Sequence, residues 1–196
     1  MKIAFCGTLL SEEVSHTTIP LPETTPLGTI AGTVLGMALA YSKDGATFEA
    51  AGDLVNALAS YWYGFGWLHF GCAYGLLSLP GSPVTPHKSC PFQGSCDKLP
   101  HHLGPKLYEK TTRYARLLNT ARASVIPAPD PATTAHEFTT RLLVIVSAYA
   151  TQGRYYSHGE QYEDALSCFS YGHGWLDAGV RAGLFQVIGN RDVFTI

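Results

Sequence analysis

Apolar residues recur at three- and four-residue spacing in six stretches of this chain, which is the signature of amphipathic helices. The clearest run is Leu107, Tyr114, Leu117, Leu118, Ala121 and Val125, predicting a helix from about Lys106 to Ser124. The segment "IPAPDP" then stops it, because proline cannot continue a helix. A second helix is predicted from Thr133 or Thr134, an N-cap residue with Glu137 in the first turn, to about Tyr156. A third runs from near Glu160 and ends by Gly189. The first half of the chain repeats this order in about Ile3–Val14, Pro26 (at the first helical position) to Lys43, and Asp53 to Leu79.

The two halves are copies. "ALASYWYGFGWLHFGCAYGLL" at 57–77, set without a gap over "ALSCFSYGHGWLDAGVRAGLF" at 165–185, is identical at ten of 21 positions, an offset of 108. Self-similarity at a fixed spacing marks a repeated structural unit. The expected domains are therefore a three-helix unit at 1–79, a Pro/Gly/Ser-rich linker at 80–105 and a second unit at 106–196. The expected fold class is all-α, two tandem three-helix bundles packed about a pseudo-two-fold axis.

Three stripes run along the third helix of each copy. One is small: Ala57, Tyr61, Gly64, Leu68, Gly71, Gly75, matched by Ala165, Phe169, Gly172, Leu176, Gly179, Gly183. Each glycine costs about 1 kcal/mol relative to alanine inside a helix, so close approach of a neighbouring backbone is the expected gain. A second stripe carries Tyr63 and Trp67, retained as Tyr171 and Trp175, and reads as core. The third separates the copies: Leu58, Trp62, Phe65, His69, Cys72, Leu76 in the first, and Leu166, Ser170, His173, Asp177, Val180, Leu184 in the second. A helix apolar all round is buried on every side. The face bearing Trp62, Phe65 and His69 is thus expected to dock on the other copy or on a second chain, and homodimerisation or a partner protein follows as the expected association.

Composition narrows the classes. Charged residues make up 14% of the chain, against about 25% in ordinary proteins, and the net charge of −2 gives no basic field for nucleic acid. Leu54–Leu79 is long enough to span a bilayer, but its counterpart carries Glu160, Glu163, Asp164, Asp177 and Arg181 in the same register. Those charges are costly at bilayer depth, so no membrane partner is expected. Five cysteines without a convincing signal peptide suggest free thiols in a cytoplasm.

Candidate chemistry is sparse, and no catalytic residue is assigned. His173 and Asp177 lie one helical turn apart with Ser170 before them, and Tyr171 lies beside them in sequence. A histidine oriented by a carboxylate next to a hydroxyl is the pattern of a general base, so this window is the candidate small-ligand or active site. The structural alternative is a polar pair bonded to a neighbouring helix. In the linker, His87, Cys90, Cys96 and His101 (or His102) are candidate zinc ligands. The x5 gap between the cysteines is no standard knuckle, and a plain flexible loop or a Cys90–Cys96 disulfide are the other readings. No other cofactor is expected.

The run "YGHGWLDAG", with Ala165, Leu166, Tyr171, His173, Gly174, Trp175, Leu176, Asp177, Ala178 and Gly179, resembles the archaeal domain of unknown function 357. The resemblance covers all of the second copy. The first keeps Gly66, Trp67 and Leu68 but has Phe65 and His69 where the pattern has His and Asp. It implies a helical bundle in an archaeal cytoplasm and a fused pair of units that otherwise occur singly, and it implies no activity. The expected function is a non-catalytic assembly or protein-interaction module. The alternative is a ligand-binding protein or enzyme using the Ser170/His173/Asp177 window.

Overall fold

A computed structural model describes residues 3–80 and 96–195. Six α-helices lie among them: α1 Ile3–His16, α2 Pro26–Ala50, α3 Leu54–Ala73, α4 Gly104–Ala123, α5 Thr134–His158 and α6 Tyr162–Arg181. Two three-residue strands follow α4 and α6, β1 Val125–Pro127 and β2 Phe185–Val187. The fold is all-α in two repeated halves. Helices α1 and α2 pack on α3, helices α4 and α5 pack on α6, and α3 and α6 pack on each other at the centre.

Local chemistry sets the helix starts. The Thr25 hydroxyl accepts from the Gly28 amide at 3.0 Å, and Thr133 does the same for His136 at 3.2 Å. The two caps sit at the 108-residue offset, and each satisfies one of the amides that a helix start leaves without a partner.

The helix ends differ from those expected. Helix α2 runs to Ala50 rather than Lys43, because Gly45 gives the Tyr61 ring a bare backbone to lie against. Helices α3 and α6 stop at Ala73 and Arg181, well short of Leu79 and Gly189. Gly75 and Gly183 take φ of +79° and +76°, a left-handed turn open to glycine at little cost. Leu76 and Leu184 then bond back to the carbonyls of Gly71 and Gly179. Gly75 and Gly183 therefore leave the packing stripe and act as caps.

The chain after each cap closes a small antiparallel pairing. β1 pairs with β2 in the register Val125↔Val187, Ile126↔Gln186, Pro127↔Phe185. In the first copy the same place holds a single bridge, Thr18↔Ser78, which is the Ile126↔Gln186 pair minus the offset. No sequence period exposes pairings this short.

The remaining stripe glycines do bring neighbours close. A side chain at Gly64 would strike Leu10 and Tyr41, and one at Gly172 would press on Tyr149 and Leu118. Gly71 and Gly179 are covered by Leu77 and Val34, and by Leu142 and Phe185. The tightest contact lies off that stripe. A Cβ on Gly66 would stand 3.0 Å from Gly174 Cα, and one on Gly174 would stand 3.1 Å from Gly66 Cα. Each would also strike a carbonyl of the other helix, Tyr171 and Tyr63 respectively. Residues related by the offset thus touch each other reciprocally, as at a two-fold interface.

The apolar face of α3 is covered from within the chain. Trp62 and Phe65 are fully buried, and the Trp62 ring lies 6.3 Å from that of Tyr171 in α6. Of the two expected destinations for this face, it meets the other copy, so Trp62 and Phe65 offer no surface to a second chain. His69 packs in the same seam, 5.6 Å from the Tyr171 ring. Part of the expected linker is also docked: residues 96–100 lie along the start of α6 before a 3-10 turn at His101–Leu103. Among the described residues no helix is long and apolar enough to cross a membrane.

The crossing predicts a contrast between glycines. Gly174→Ala or Gly66→Ala should cost roughly 1–3 kcal/mol through overpacking. Gly32→Ala, in α2 with nothing within 4 Å of its Cβ position, should be neutral or stabilise by up to about 1 kcal/mol. Urea denaturation of the three variants measures the difference.

Candidate functional site

Ser170, His173 and Asp177 do share one face of α6, as their spacing requires, but the face is internal. Ser170 and Asp177 are fully buried and His173 is nearly so. The face looks onto α3 and onto the segment that follows β2, where a 3-10 turn at Arg191–Val193 leads into Phe194 and Thr195.

Asp177 is held by groups from both directions. Its Oδ2 accepts a hydrogen bond from the Tyr63 hydroxyl of α3 and another from the Thr195 amide at 3.0 Å. Tyr63 Oη also lies 3.2 Å from Thr195 Oγ1. Complete burial, with the Asp177 charge second, pushes the Tyr63 phenol well above its ordinary 10.0. Asp177 Oδ1 has no hydrogen-bond partner among the described residues. His173 Nε2 lies 3.7 Å from it, too far for a hydrogen bond.

His173 approaches Asp177 to ion-pair distance but makes its hydrogen bond elsewhere. Its Nε2 lies 3.0 Å from the Val193 carbonyl, so that nitrogen carries the proton and donates to the tail. Ser170 Oγ has no hydrogen-bond partner among the described residues. A serine nucleophile needs its base within hydrogen-bond reach and the base needs an orienting group. Neither link is made. The window is a set of backbone and phenol contacts, not a relay.

Tyr171 separates from this group. One residue along a helix is a turn of about 100°, and Tyr171 faces the opposite side of the seam. There its hydroxyl is 2.8 Å from His69 Nδ1, and His69 Nε2 is 3.4 Å from Glu13 Oε2. This is the image of Tyr63–Asp177 under the duplication, since His69 and Asp177 differ by 108. The supporting ring is repeated too: Tyr41 lies 4.4 Å from Tyr63, and Tyr149 lies 4.5 Å from Tyr171. Copy-unique chemistry on a common frame thus makes two unlike polar clusters.

Beside Tyr63 opens a cleft of about 200 Å³, lined by Tyr41, Ser60, Tyr63, Tyr114, His173 and Asp192, with the tail forming one wall. The mirrored position is covered differently. Ser167, the counterpart of Ala59 in the cleft wall, is met by Cys96, whose Sγ lies 3.3 Å from Ser167 Oγ. The Cys96 amide donates to Asp164 Oδ1 at 2.9 Å and the Leu99 amide to Glu163 Oε1 at 2.9 Å. Lys98 adds an ion pair to Glu163 at 3.1 Å. Burial pushes the Cys96 thiol up to about 12.

Only part of the zinc string falls among the described residues. His87 and Cys90 lie outside the described residues, Cys96 is engaged on α6, and His101 is exposed in the 3-10 turn. Among the described residues no group of three or more His, Cys, Asp or Glu side chains is placed to hold a metal ion.

Sequence reasoning missed Tyr63, Tyr41 and the tail as partners of the window. Tyr63 has a twin at the offset, which made it look like core. Glu163 and Asp164 carried a usable signal: two adjacent acids entering an otherwise apolar helix, both buried, where the helix start favours negative charge.

A family model described as "Protein of unknown function (DUF357)" matches the chain twice, over residues 7–77 and 113–185. No curated protein and no solved structure matches it.

Tyr63→Phe removes a donor from buried Asp177 and should cost about 1–3 kcal/mol. A pH effect accompanies it. The Tyr63 phenol has a raised folded-state value, so its contribution is whole below about 10 and is lost as pH rises above that. The melting temperature should fall as pH rises past about 10, and Tyr63→Phe should flatten that fall. Thermal melts of both proteins across this range check the sign.

Proposed function

The chain belongs to the DUF357 family of proteins of unknown function, and from that premise we propose that it is a non-catalytic protein-interaction module, a fused dimer whose α6 grooves bind extended polypeptide through its backbone. The carrying observation is that three buried carboxylates on one helix each accept a main-chain amide from outside the bundle. Asp177 takes Thr195, Asp164 takes Cys96 and Glu163 takes Leu99. His173 completes the pattern by donating to the Val193 carbonyl. Between these two tail contacts Phe194 is buried, with an extended backbone at φ −108° and ψ 145°.

Main-chain bonds that do not depend on side chains, with a pocket for one residue, are the means by which extended peptides are recognised. Hydrogen bonds to charged groups contribute about 1.5–3 kcal/mol each, so two of them and an anchoring aromatic suffice for a specific contact. The partner is an extended segment with an aromatic residue at the place of Phe194. The interaction surface accordingly moves from the α3 face of Trp62 and Phe65 to the α6 grooves. Catalysis is the weaker reading because Ser170, His173 and Asp177 form no relay. A cytoplasmic setting accords with free thiols at Cys6, Cys72 and Cys96.

The test removes residues 191–196 and adds them back as a peptide. The truncated protein should bind a fluorescently labelled peptide of residues 190–196 saturably, and Phe194→Ala in the peptide should abolish binding. The full chain should bind it only when its own Phe194 is replaced by alanine. A truncated protein that keeps its helical circular dichroism yet ignores the peptide refutes the reading. So does a Phe194→Ala full chain that binds no peptide.

A further inference from the structure

We infer that the cleft beside Tyr63 is a binding site for a small organic ammonium ion, with the docked tail as one of its walls. Three phenol rings line it, those of Tyr41, Tyr63 and Tyr114. Aromatic faces attract cations through the ring quadrupole, and quaternary ammonium groups are held by aromatic cages of this composition. One of the three already shows the chemistry: Lys110 Nζ stands 5.1 Å from the centroid of the Tyr114 ring.

The carboxylates in and behind the cleft have the matching sign, and Lys110 stands on the Tyr114 ring without lining the cleft. Asp192 lines it, and no lysine or arginine does. Behind Tyr63 sits Asp177, accepting the phenol hydrogen bond, with Oδ1 left unpartnered and wholly buried. A carboxylate drawing on the Tyr63 hydroxyl makes that ring more electron-rich, and the bare oxygen adds negative potential in a region shielded from water. An anionic guest would find neither a guanidinium nor an ammonium in the lining.

Size limits the guest. At about 200 Å³ the cleft falls below the usual 300 Å³ or more of sites for drug-sized ligands. A single methylated ammonium headgroup fits it. The duplication argues that the set is specific, since the offset converts Tyr114, Ser60 and His173 into Cys6, Cys168 and Phe65 in the other copy. The offset thus leaves the other side of the pseudo-dimer with two phenols and the Phe65 ring in place of three phenols and the His173 ring.

The test titrates full-length protein, labelled uniformly with 15N and with 13C in its tyrosine rings, with tetramethylammonium chloride and with tert-butyl alcohol, a neutral molecule of similar shape. Saturable shifts are expected at Tyr41, Tyr63 and Tyr114 with the ammonium ion, and none with the alcohol. Tyr114→Leu should weaken binding by roughly 5-fold and Asp192→Asn by roughly 3-fold, within the range of a partly shielded cation–π contact. The Thr195 amide signal, from a residue that lines the cleft, should persist throughout, showing that the tail remains docked. Equal response to the alcohol overturns the inference. So do an unsaturable response, wild-type affinity in both variants, or binding that proceeds only with loss of the Thr195 signal.

Discussion

The architecture depends on one contact, the backbone crossing of α3 and α6 at Gly66 and Gly174. Neither position tolerates a Cβ without striking the opposite helix. Because the two residues are equivalent under the duplication, the contact is self-complementary. Everything else in the seam is placed by it: Tyr63 and Tyr171 each reach across to the opposite helix, and each is backed by a ring from its own second helix. Dispersion contacts between close-packed backbones offset the weak helix propensity of glycine. The cost of mid-helix glycines is thereby recovered in docking rather than in the helix itself.

Within that symmetric frame the polar groups are asymmetric. One cluster has Asp177, Tyr63 and His173; its image has His69, Tyr171 and Phe65 with Glu13 at the edge. A buried carboxylate is stable only when donors surround it. Asp177 draws these from the tail and from copy 1, whereas Glu163 and Asp164 draw theirs from the segment at 96–99. Segments that look like connectors thus complete the bundle by supplying main-chain amides to acids on α6. Such acids bind backbone, and that is the property on which an interaction role rests.

Apolar spacing, helix-start and proline signals and self-alignment together located all six helices and the 108-residue duplication, and spacing placed Ser170, His173 and Asp177 on one face. It went wrong where a single residue's conformation overrides a pattern. Gly75 and Gly183 continue the apolar period of α3 and α6, but their positive φ turns the chain out of the helix. It also grouped Tyr171 with Ser170 and His173 by proximity in sequence, although adjacent residues on a helix point about 100° apart. The expectation of a face for a second chain at Trp62 and Phe65 was a correct reading of burial with two open destinations, and packing chose the inner one.

What the amino-acid order determines by itself is local or repetitive: where helices start, which faces are apolar, that two copies exist, and that small residues line a seam. These follow from spacing, and spacing is visible in one dimension. What only the tertiary structure decided is pairing: Tyr63 with Asp177 across 114 positions, His173 with a tail carbonyl, and a cleft walled by four separate helices and the tail. Such contacts join groups with no fixed sequence separation. Competition among donors for a few buried acceptors selects the partners, and that competition exists only once the helices have docked.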